Sequence, residues 1–286
     1  MCFSIERLHV SDFMRSAVVG LLLVYLFSFS SSSEAENTML VVKGSTTILP
    51  IALGIGTKFQ NNYPGVEVQT IGGGSTEGIK ALIMGEADIA MSSTFISDQE
   101  IRLAQQHSVY PVPFRFAYDC IIPIVNRSNP LTNLTRGELK DIFLGLIDTW
   151  KQLGGPDQAI QLVSRDSASG TYKVWKQIVM DQEPIIAGTR LKHSNAEVVK
   201  TVSQNPGAIG YISLSYLNSQ VKPIQVDGVM GSIQSLKNGT YLLSRPLFLF
   251  TNGWPEGKTL EYINFVLDAE NGQESIDEAG YLPLNL

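Results

Sequence analysis

Three loops rich in glycine, serine and threonine each join an apolar, strand-like run to a helix-like pattern. Their sequences are Gly44-Ser45-Thr46-Thr47, Gly72-Gly73-Gly74-Ser75-Thr76 and Ser167-Ala168-Ser169-Gly170-Thr171. Each loop offers hydroxyl groups and uncovered backbone N–H groups at the positive end of a helix dipole, which can bind a small anion without a bulky positive charge. Three such loops in one chain predict a single oxyanion held from several sides.

The three loops differ in how strongly they indicate a site. Serine or threonine ahead of a helix is most often only an N-cap, so residues 44–47 alone are a weak signal. The three glycines of residues 72–76 cost backbone entropy, which indicates a close approach of the backbone to another group. A nucleotide-binding P-loop is excluded there, because the Gly-Lys-Ser/Thr ending is absent and Glu77 stands where a positive charge would be needed.

One basic residue, Arg165, lies beside the third loop. Its guanidinium could bind two oxygens of an anion through parallel hydrogen bonds. The alternative is an ion pair with the adjacent Asp166 or with another acid, and the sequence leaves both open. Other chemistry is poorly represented: the histidines after the N-terminal segment, His107 and His193, lie far apart, no Cys/His cluster has the spacing of metal ligands, and no serine lies in a G-x-S-x-G motif.

The N-terminal 35 residues have the pattern of a secretory signal peptide. Arg15 precedes an apolar run at 17–29, and Ser33-Glu34-Ala35 supplies a cleavage site of small residues. The alternative is a retained membrane anchor, but the apolar run is shorter than the roughly 20 residues of a spanning helix. Translation could begin at Met1 or Met14. After cleavage Cys120 would be the one remaining cysteine, which excludes an intramolecular disulfide.

Charge narrows the choice of partners. The full chain has a net charge of −6, and residues 1–35 contain two arginines and three acids, so a cleaved chain would carry about −5. Nucleic acid is a poor partner for such a chain, because phosphates demand clustered basic residues. An anion would have to be bound locally, by hydrogen-bond donors and against the overall charge.

Strand and helix patterns alternate along the whole chain, which predicts an α/β fold with largely parallel strands. Predicted strands at 39–43, 66–70 and 87–91 begin this alternation, and a second unit appears from Cys120. A mature chain of about 250 residues exceeds one typical domain, and it contains no proline-rich linker. We therefore expect two lobes joined by crossing strands, with a cleft between them.

Five groups of motifs, spread from about Val41 to the C-terminus, follow one another in the order and spacing of a known family. They are Lys43-Gly44-Ser45-Thr46-Thr47 with Pro50; residues 72–80; Ala87-Asp88-Ile89-Ala90; Arg165 with Ser169-Gly170-Thr171; and Pro206-Gly207-Ala208-Ile209-Gly210-Tyr211. Together they resemble the secreted phosphate-binding proteins of phosphate ABC transporters. The resemblance implies a two-lobed type II periplasmic binding protein fold, with the ligand cleft between the lobes.

On that resemblance, lobe 1 is expected to comprise 36–117 and 243–286, and lobe 2 to comprise 118–242. The resemblance further implies a periplasmic monomer that binds inorganic phosphate and delivers it to an ABC permease, with no cofactor, metal or catalytic residue. The phosphate ligands that it implies are Ser45, Thr46, Thr47, Ser75, Thr76, Ser169, Gly170 and Thr171, with Arg165 supplying the charge.

One position departs from the pattern of the family. Well-known members have an aspartate where this chain has Ser93, and that aspartate accepts the proton of hydrogen phosphate and rejects fully ionised sulfate. A serine there also occurs in a serine-rich branch of the family. We expect Asp119, which precedes the strand that enters the second lobe, to take over as proton acceptor; the alternative is that Asp119 only caps a turn.

Three other functions stay open at this point. The ligand could be another tetrahedral oxyanion such as sulfate, or the chain could be a phosphate-sensing subunit that reports to a signalling partner. A secreted phosphatase could use the same loops, but it would need a metal or an activated nucleophile, and the sequence indicates neither.

Overall fold

Strands and helices alternate from Thr38 onward, as the sequence predicts. The computed structural model describes residues 38–284; the predicted signal peptide and both candidate start residues lie outside them. The strands are β1 (Thr38–Gly44), β2 (Val66–Gly72), β3 (Ile89–Ser92), β4 (Pro111–Asn126), β5 (Asn133–Leu134), β6 (Gln161–Arg165), β7 (Arg190–Lys192), β8 (Ala208–Ser213), β9 (Val221–Pro223), β10 (Gln225–Val226), β11 (Ser244–Asn252) and β12 (Leu282–Pro283).

The helices cover the faces of this sheet. They are α1 (Leu49–Asn62), α2 (Ser75–Ile83), α3 (Asp98–Gln106), α4 (Arg136–Leu144), α5 (Gly170–Ile178), α6 (Asn195–Ser203), α7 (Ile233–Lys237), α8 (Gly257–Leu267) and α9 (Glu274–Glu278). Short 3₁₀ turns lie at Trp150–Leu153 and Leu214–Tyr216. Within residues 38–284, no helix has both the length and the apolar character needed to cross a membrane.

One long strand connects the two halves of the sheet. The strand order is β2-β1-β3-β11-β4-β8-β6-β7, and β9 and β12 also pair with β4. Strand β4 pairs with β11 along its first part and with β8 from Ile121 to Val125. We call the part of the sheet from β2 to β11, with its helices, the first half, and the part from β8 to β7 the second half.

Each half has its own hydrophobic core. In the first half, Phe59 of α1 packs edge-on against Tyr262 and Phe265 of α8. In the second half, Trp175 of α5 stacks on Tyr211 of β8 with 4.1 Å between ring centroids. Strand β4 contributes residues to the cores of both halves, so the lobe boundaries expected at 118 and 243 stay a prediction.

The direction of the strands determines where the glycine-rich loops lie. Strands β2 and β3 both pair with β1 in parallel, so the carboxyl ends of all three lie at one edge of the sheet. The first two loops leave β1 and β2 at this edge, and Ser93 follows β3 there. In the second half, β6 runs parallel to β8 and ends at Arg165, just before the third loop.

Candidate functional site

The hydroxyl groups of the three loops meet in one buried cluster. Thr47 Oγ1 of the first loop lies 3.1 Å from Thr171 Oγ1 of the third. Ser75 Oγ of the second loop lies 3.4 Å from Ser93 Oγ and accepts a hydrogen bond from the Ser93 N–H at 3.1 Å. The structure therefore brings together loops that lie more than a hundred residues apart in the chain. Six hydroxyl side chains of the cluster belong to residues that are at most 2% exposed: Ser45, Thr47, Ser75, Ser93, Ser169 and Thr171.

Two glycines allow the second and third loops to touch. Gly74 has a φ of +114°, and a Cβ on it would lie 2.8 Å from the carbonyl oxygen of Ala168. A Cβ on Gly170 would lie 2.4 Å from Ser75 Oγ and 2.6 Å from Ser93 Oγ. The close backbone approach predicted from the glycine run is thus present, and the group that approaches is the third loop.

Helix N-termini give this cluster its electrostatic character. Helix α2 begins at Ser75 and α5 begins at Gly170, with Ser169 as N-cap accepting from the Tyr172 N–H. Helix α1 begins at Leu49, shortly after the first loop. The first N–H groups of each helix have no partner within the helix, and the helix dipoles favour negative charge at these ends.

Arg165 is held rigidly and is only 1% exposed. Its Nε donates to the Lys192 carbonyl at 3.1 Å, and its Nη2 donates to the His193 carbonyl at 2.8 Å and to Thr46 Oγ1 at 3.1 Å. Its Nη1 is buried and has no hydrogen-bond partner among the described residues. Burial lowers the pKa of Arg165, whereas the nearby charge of Asp166 acts in the opposite direction.

Arg165 does not form the ion pair with Asp166 that was the alternative in the sequence analysis. Asp166 instead accepts from the Ala168 N–H at 2.9 Å, and its other oxygen lies 3.2 Å from His193 Nδ1. Within residues 38–284 Arg165 makes no ion pair, so its charge has no carboxylate partner in the site.

A second buried arginine, Arg245 of β11, was missed in the sequence analysis. It forms an ion pair with Asp119 of β4, its partner in the antiparallel register, with Nη2 2.8 Å and Nε 3.1 Å from Asp119 Oδ2. The same guanidinium donates to Thr47 Oγ1 at 3.1 Å and to Thr171 Oγ1 at 3.0 Å. Arg245 therefore contacts hydroxyls of two different loops.

Asp119 is surrounded by donors. Besides Arg245 at Oδ2, it accepts at Oδ1 from Ser213 Oγ at 2.7 Å. Burial raises the pKa of Asp119, while the charge of Arg245 and these hydrogen bonds oppose the increase. That Asp119 accepts the proton of a bound ligand stays a prediction, and the three hydrogen bonds that already engage its two oxygens count against it.

Asn195, the first residue of α6, is another buried member of the cluster that the sequence did not reveal. Its Nδ2 donates to Thr47 Oγ1 at 3.3 Å, and its Oδ1 accepts from the Ser213 N–H at 3.2 Å.

A sequence signal did exist for Arg245, which stands as a single charge within the apolar run from Leu242 to Leu249. No comparable signal marks Asn195, because Ser194 before it is an ordinary N-cap.

The remaining predicted ligands lie at the edge of this cluster. Thr76 Oγ1 is buried without a hydrogen-bond partner among the described residues, and the Thr76 N–H donates to the Ala168 carbonyl at 3.1 Å. Thr46 receives the Arg165 hydrogen bond through its hydroxyl, and its carbonyl accepts from the Tyr216 hydroxyl at 2.7 Å. Within the described part of the chain, no group of three His, Cys, Asp or Glu side chains could hold a metal ion.

Two α/β halves connected by a long strand, with loops from both halves meeting in one buried polar cluster, define the class of type II periplasmic binding proteins. A family model described as a PBP superfamily domain matches residues 30–270, and the chain belongs to this superfamily.

Relatives and solved structures within this class carry informative names. The phosphate-binding protein PstS of Bacillus subtilis is 29% identical over 259 residues, which cover 89% of this chain and 84% of the relative. The crystal structure of a putative phosphate ABC transporter substrate-binding protein with bound phosphate, from Clostridium perfringens, is 30% identical with a TM-score of 0.80, covering 87% of this chain and 100% of that one. An ABC-type phosphate transport receptor from Vibrio cholerae is 31% identical with a TM-score of 0.70, covering 85% and 99%.

Proposed function

We propose that this protein binds inorganic phosphate between its two halves and delivers it to the permease of an ABC transporter. The observation that carries the proposal is Arg165, whose buried Nη1 has no hydrogen-bond partner among the described residues, while its Nε and Nη2 are fixed by two backbone carbonyls and the Thr46 hydroxyl. A buried N–H of a charged group that lacks a protein acceptor is costly, and a phosphate oxygen would satisfy it. The names of the relatives point to the same ligand.

The charge balance of the site suits a phosphate anion. Arg245 and Asp119 neutralise each other, which leaves Arg165 as the charge that faces the ligand. The hydroxyls and helix N-termini would supply further hydrogen bonds without net charge. This is how a chain with a net charge of −6 could bind an anion locally.

We propose that the ligand set includes the predicted members of the three loops and their neighbours. These are Ser45, Thr46, Thr47, Ser75, Thr76, Ser93, Ser169, Gly170 and Thr171, together with Arg165. Burial excludes competing water and strengthens each hydrogen bond to the anion. We propose that the protein acts as a monomer.

The proposed location follows from the proposed role. A binding protein that supplies an importer must meet its ligand outside the cytoplasmic membrane, so we propose secretion to the periplasm by the signal peptide predicted at 1–35. The proposal assigns binding and no catalysis. A role in sensing would use the same site, and the two roles differ only in the partner that recognises the loaded protein.

Calorimetric titration of the protein lacking residues 1–35 with phosphate, sulfate and molybdate tests the proposal. We expect heat of binding and one site per chain with phosphate, and weaker binding or none with sulfate. Saturation by sulfate in preference to phosphate would assign a different oxyanion as the ligand. Release of phosphate from a phosphomonoester would favour the alternative function as a secreted phosphatase. No binding of phosphate would contradict the proposal.

Replacing the charge that faces the ligand should abolish most of the affinity. We expect Arg165→Met to weaken phosphate binding by roughly ten- to a hundredfold, the size of a lost charge-assisted hydrogen bond. Arg190→Met is the matched control, since Arg190 lies exposed on the neighbouring strand β7 and its side chain hydrogen-bonds to Asn205, away from the cluster. Equal affinities of the two variants would show that Arg165 does not bind the anion.

A further inference from the structure

Every N–H group of the Arg245 guanidinium already has a protein acceptor. Nε and one N–H of Nη2 point to Asp119, and the second N–H of Nη2 points to Thr47 Oγ1. Nη1 donates to the Ser93 carbonyl at 3.3 Å and to Thr171 Oγ1 at 3.0 Å. Five N–H groups make five hydrogen bonds to four acceptor atoms, because Asp119 Oδ2 accepts twice, so Arg245 has no N–H left for a ligand, in contrast to Arg165.

These hydrogen bonds restrict the two threonine hydroxyls. A hydroxyl has one proton to donate and two lone pairs that accept. Thr47 Oγ1 accepts from Arg245 and from Asn195 Nδ2, so both of its lone pairs are used and its proton must be donated. Thr171 Oγ1, which also accepts from Arg245, lies 3.1 Å away and is the nearby acceptor for that proton. The proton of Thr171 is then left to donate elsewhere.

We propose that Arg245 is a positioning residue that, through Thr47, makes the hydroxyl of Thr171 a hydrogen-bond donor toward the bound anion. Asp119 in turn fixes the orientation of Arg245 and neutralises its charge. The inference rests on the proposed function and adds to it a specificity device: Thr171 presents a proton, so the ligand atom that it meets must be a hydrogen-bond acceptor.

The geometry explains why an arginine and an aspartate are needed for this task. Thr47 belongs to the first half of the sheet and Thr171 to the second, and a planar guanidinium can reach both at once through separate nitrogens. A buried guanidinium without a counter-charge would be costly, and Asp119, at 1% exposed, supplies that charge from the adjacent strand. Because Asp119 accepts twice from Arg245 at Oδ2 and once from Ser213 at Oδ1, it holds Arg245 rather than the ligand.

A double-mutant cycle with phosphate affinity as the readout tests the proposal. One arm is Thr171→Val, which removes the hydroxyl and keeps the shape; the other is the combined variant Asp119→Leu/Arg245→Met, which removes the pair without leaving an unpaired buried charge. In the wild-type background we expect Thr171→Val to weaken phosphate binding by about three- to tenfold. In the combined variant, where the hydroxyl is free to rotate, we expect most of that loss to disappear.

One control variant and one replacement variant make the result of the cycle interpretable. Thr201→Val removes an exposed hydroxyl that bonds the Glu197 carbonyl of its own helix, and it should leave phosphate affinity unchanged in both backgrounds. If thermal unfolding shows that the combined variant does not fold, Arg245→Lys replaces it, because a lysine keeps the charge opposite Asp119 but cannot reach both threonines. The loss on Thr171→Val should shrink in that background as well.

The possible results separate this inference from the proposed function. Coupling between Thr171 and the Arg245 pair, with wild-type binding of phosphate, supports the inference. If the wild-type protein binds phosphate but the losses of affinity in the two arms are fully additive, the inference alone is overturned and Arg245 has a structural role. Failure of the wild-type protein to bind phosphate would overturn the proposed function and this inference with it.

Discussion

Two buried arginines of the site differ in what surrounds them. Arg165 is fixed by two carbonyl groups and the Thr46 hydroxyl, and within residues 38–284 its Nη1 has no hydrogen-bond partner and it makes no ion pair. Arg245 is paired with Asp119 and has all of its N–H groups engaged. At the residue scale, the first arginine is suited to bind an anion and the second to orient the Thr171 hydroxyl toward it. The pair with Asp119 allows a second guanidinium to lie in the site without adding net charge.

The variant Asp119→Asn separates the two roles considered for that carboxylate. If Asp119 acts through Arg245, individual affinities will change, but the ratio of phosphate to sulfate affinity will stay the same, because both anions meet the same donors. If Asp119 accepts the ligand proton, the variant will gain sulfate binding as the unpaired, repelled carboxylate is removed. We expect an unchanged ratio in competitive calorimetry, with the exposed Asp157→Asn as the control.

The residues of the site differ in how far sequence could predict them. The loops and Arg165 carry local signals, because glycine runs, N-cap residues and a charge beside a helix start all belong to short segments. Arg245 reaches the site through its pairing with Asp119, 126 residues earlier in the chain, and only the register of β4 against β11 places the two together. Asn195 depends in the same way on how α6 packs near β8. The pairing of strands that lie far apart in the chain could not be predicted from the sequence.

At the scale of elements, the contact between α5 and the loops of the first half depends on Gly170. This residue begins α5, and its missing side chain leaves space for the hydroxyls of Ser75 and Ser93. The helix N-terminus can therefore approach the other loops closely enough for one small anion to contact all of them. The sequence predicted that three loops would share a ligand, and the parallel strands explain how two of them come to the same edge.

Gly170→Ala should disrupt this approach. The added Cβ would lie well within van der Waals distance of two hydroxyl oxygens, so the halves must separate or the serines must move. We expect phosphate affinity to fall roughly five- to a hundredfold, the equivalent of about 1–3 kcal/mol of overpacking, in equilibrium titration. Gly54→Ala is the matched control, since a Cβ at this position in α1 meets no atom within 4 Å, and it should bind phosphate like wild type.

At the scale of the whole molecule, several polar contacts connect the two halves around the site. Lys173 of α5, in the second half, forms an ion pair at 2.8 Å with Glu100 of α3, in the first half. Arg165 of the second half likewise donates to Thr46 of the first. The Tyr216 hydroxyl donates to the Thr46 carbonyl. These contacts fix the halves in the arrangement that buries the cluster, so the site and the interface between the halves should respond together to any change in either.

The ion pair of Glu100 makes stability depend on pH in a defined direction. Burial alone would raise the pKa of Glu100, but hydrogen bonds from Lys173 and Ser97 outweigh it and leave the pKa lowered. A lowered pKa in the folded state means that the stabilisation is complete above the unfolded pKa of glutamate. It is lost as the pH falls through the lowered value. We expect a loss of about 1 kcal/mol in the free energy of unfolding over this acidic range.

Glu100→Gln should show a smaller acid-induced loss of stability than wild type in thermal unfolding followed at several pH values. The control is Glu86→Gln, since Glu86 is largely exposed and its contact with Lys43, at 3.5 Å, stays within the first half. If the stability of Glu100→Gln depends on pH as that of the wild type does, the ion pair of Glu100 and Lys173 does not contribute to the stability of the folded protein.

A crystal structure of the protein grown with phosphate tests the central claim most directly. The account predicts one phosphate between the halves, with one oxygen at hydrogen-bond distance from Arg165 Nη1 and another at the hydroxyl of Thr171, while Arg245 stays paired with Asp119. A phosphate bound away from Arg165, or no phosphate between the halves at concentrations that saturate the protein in solution, would contradict the account.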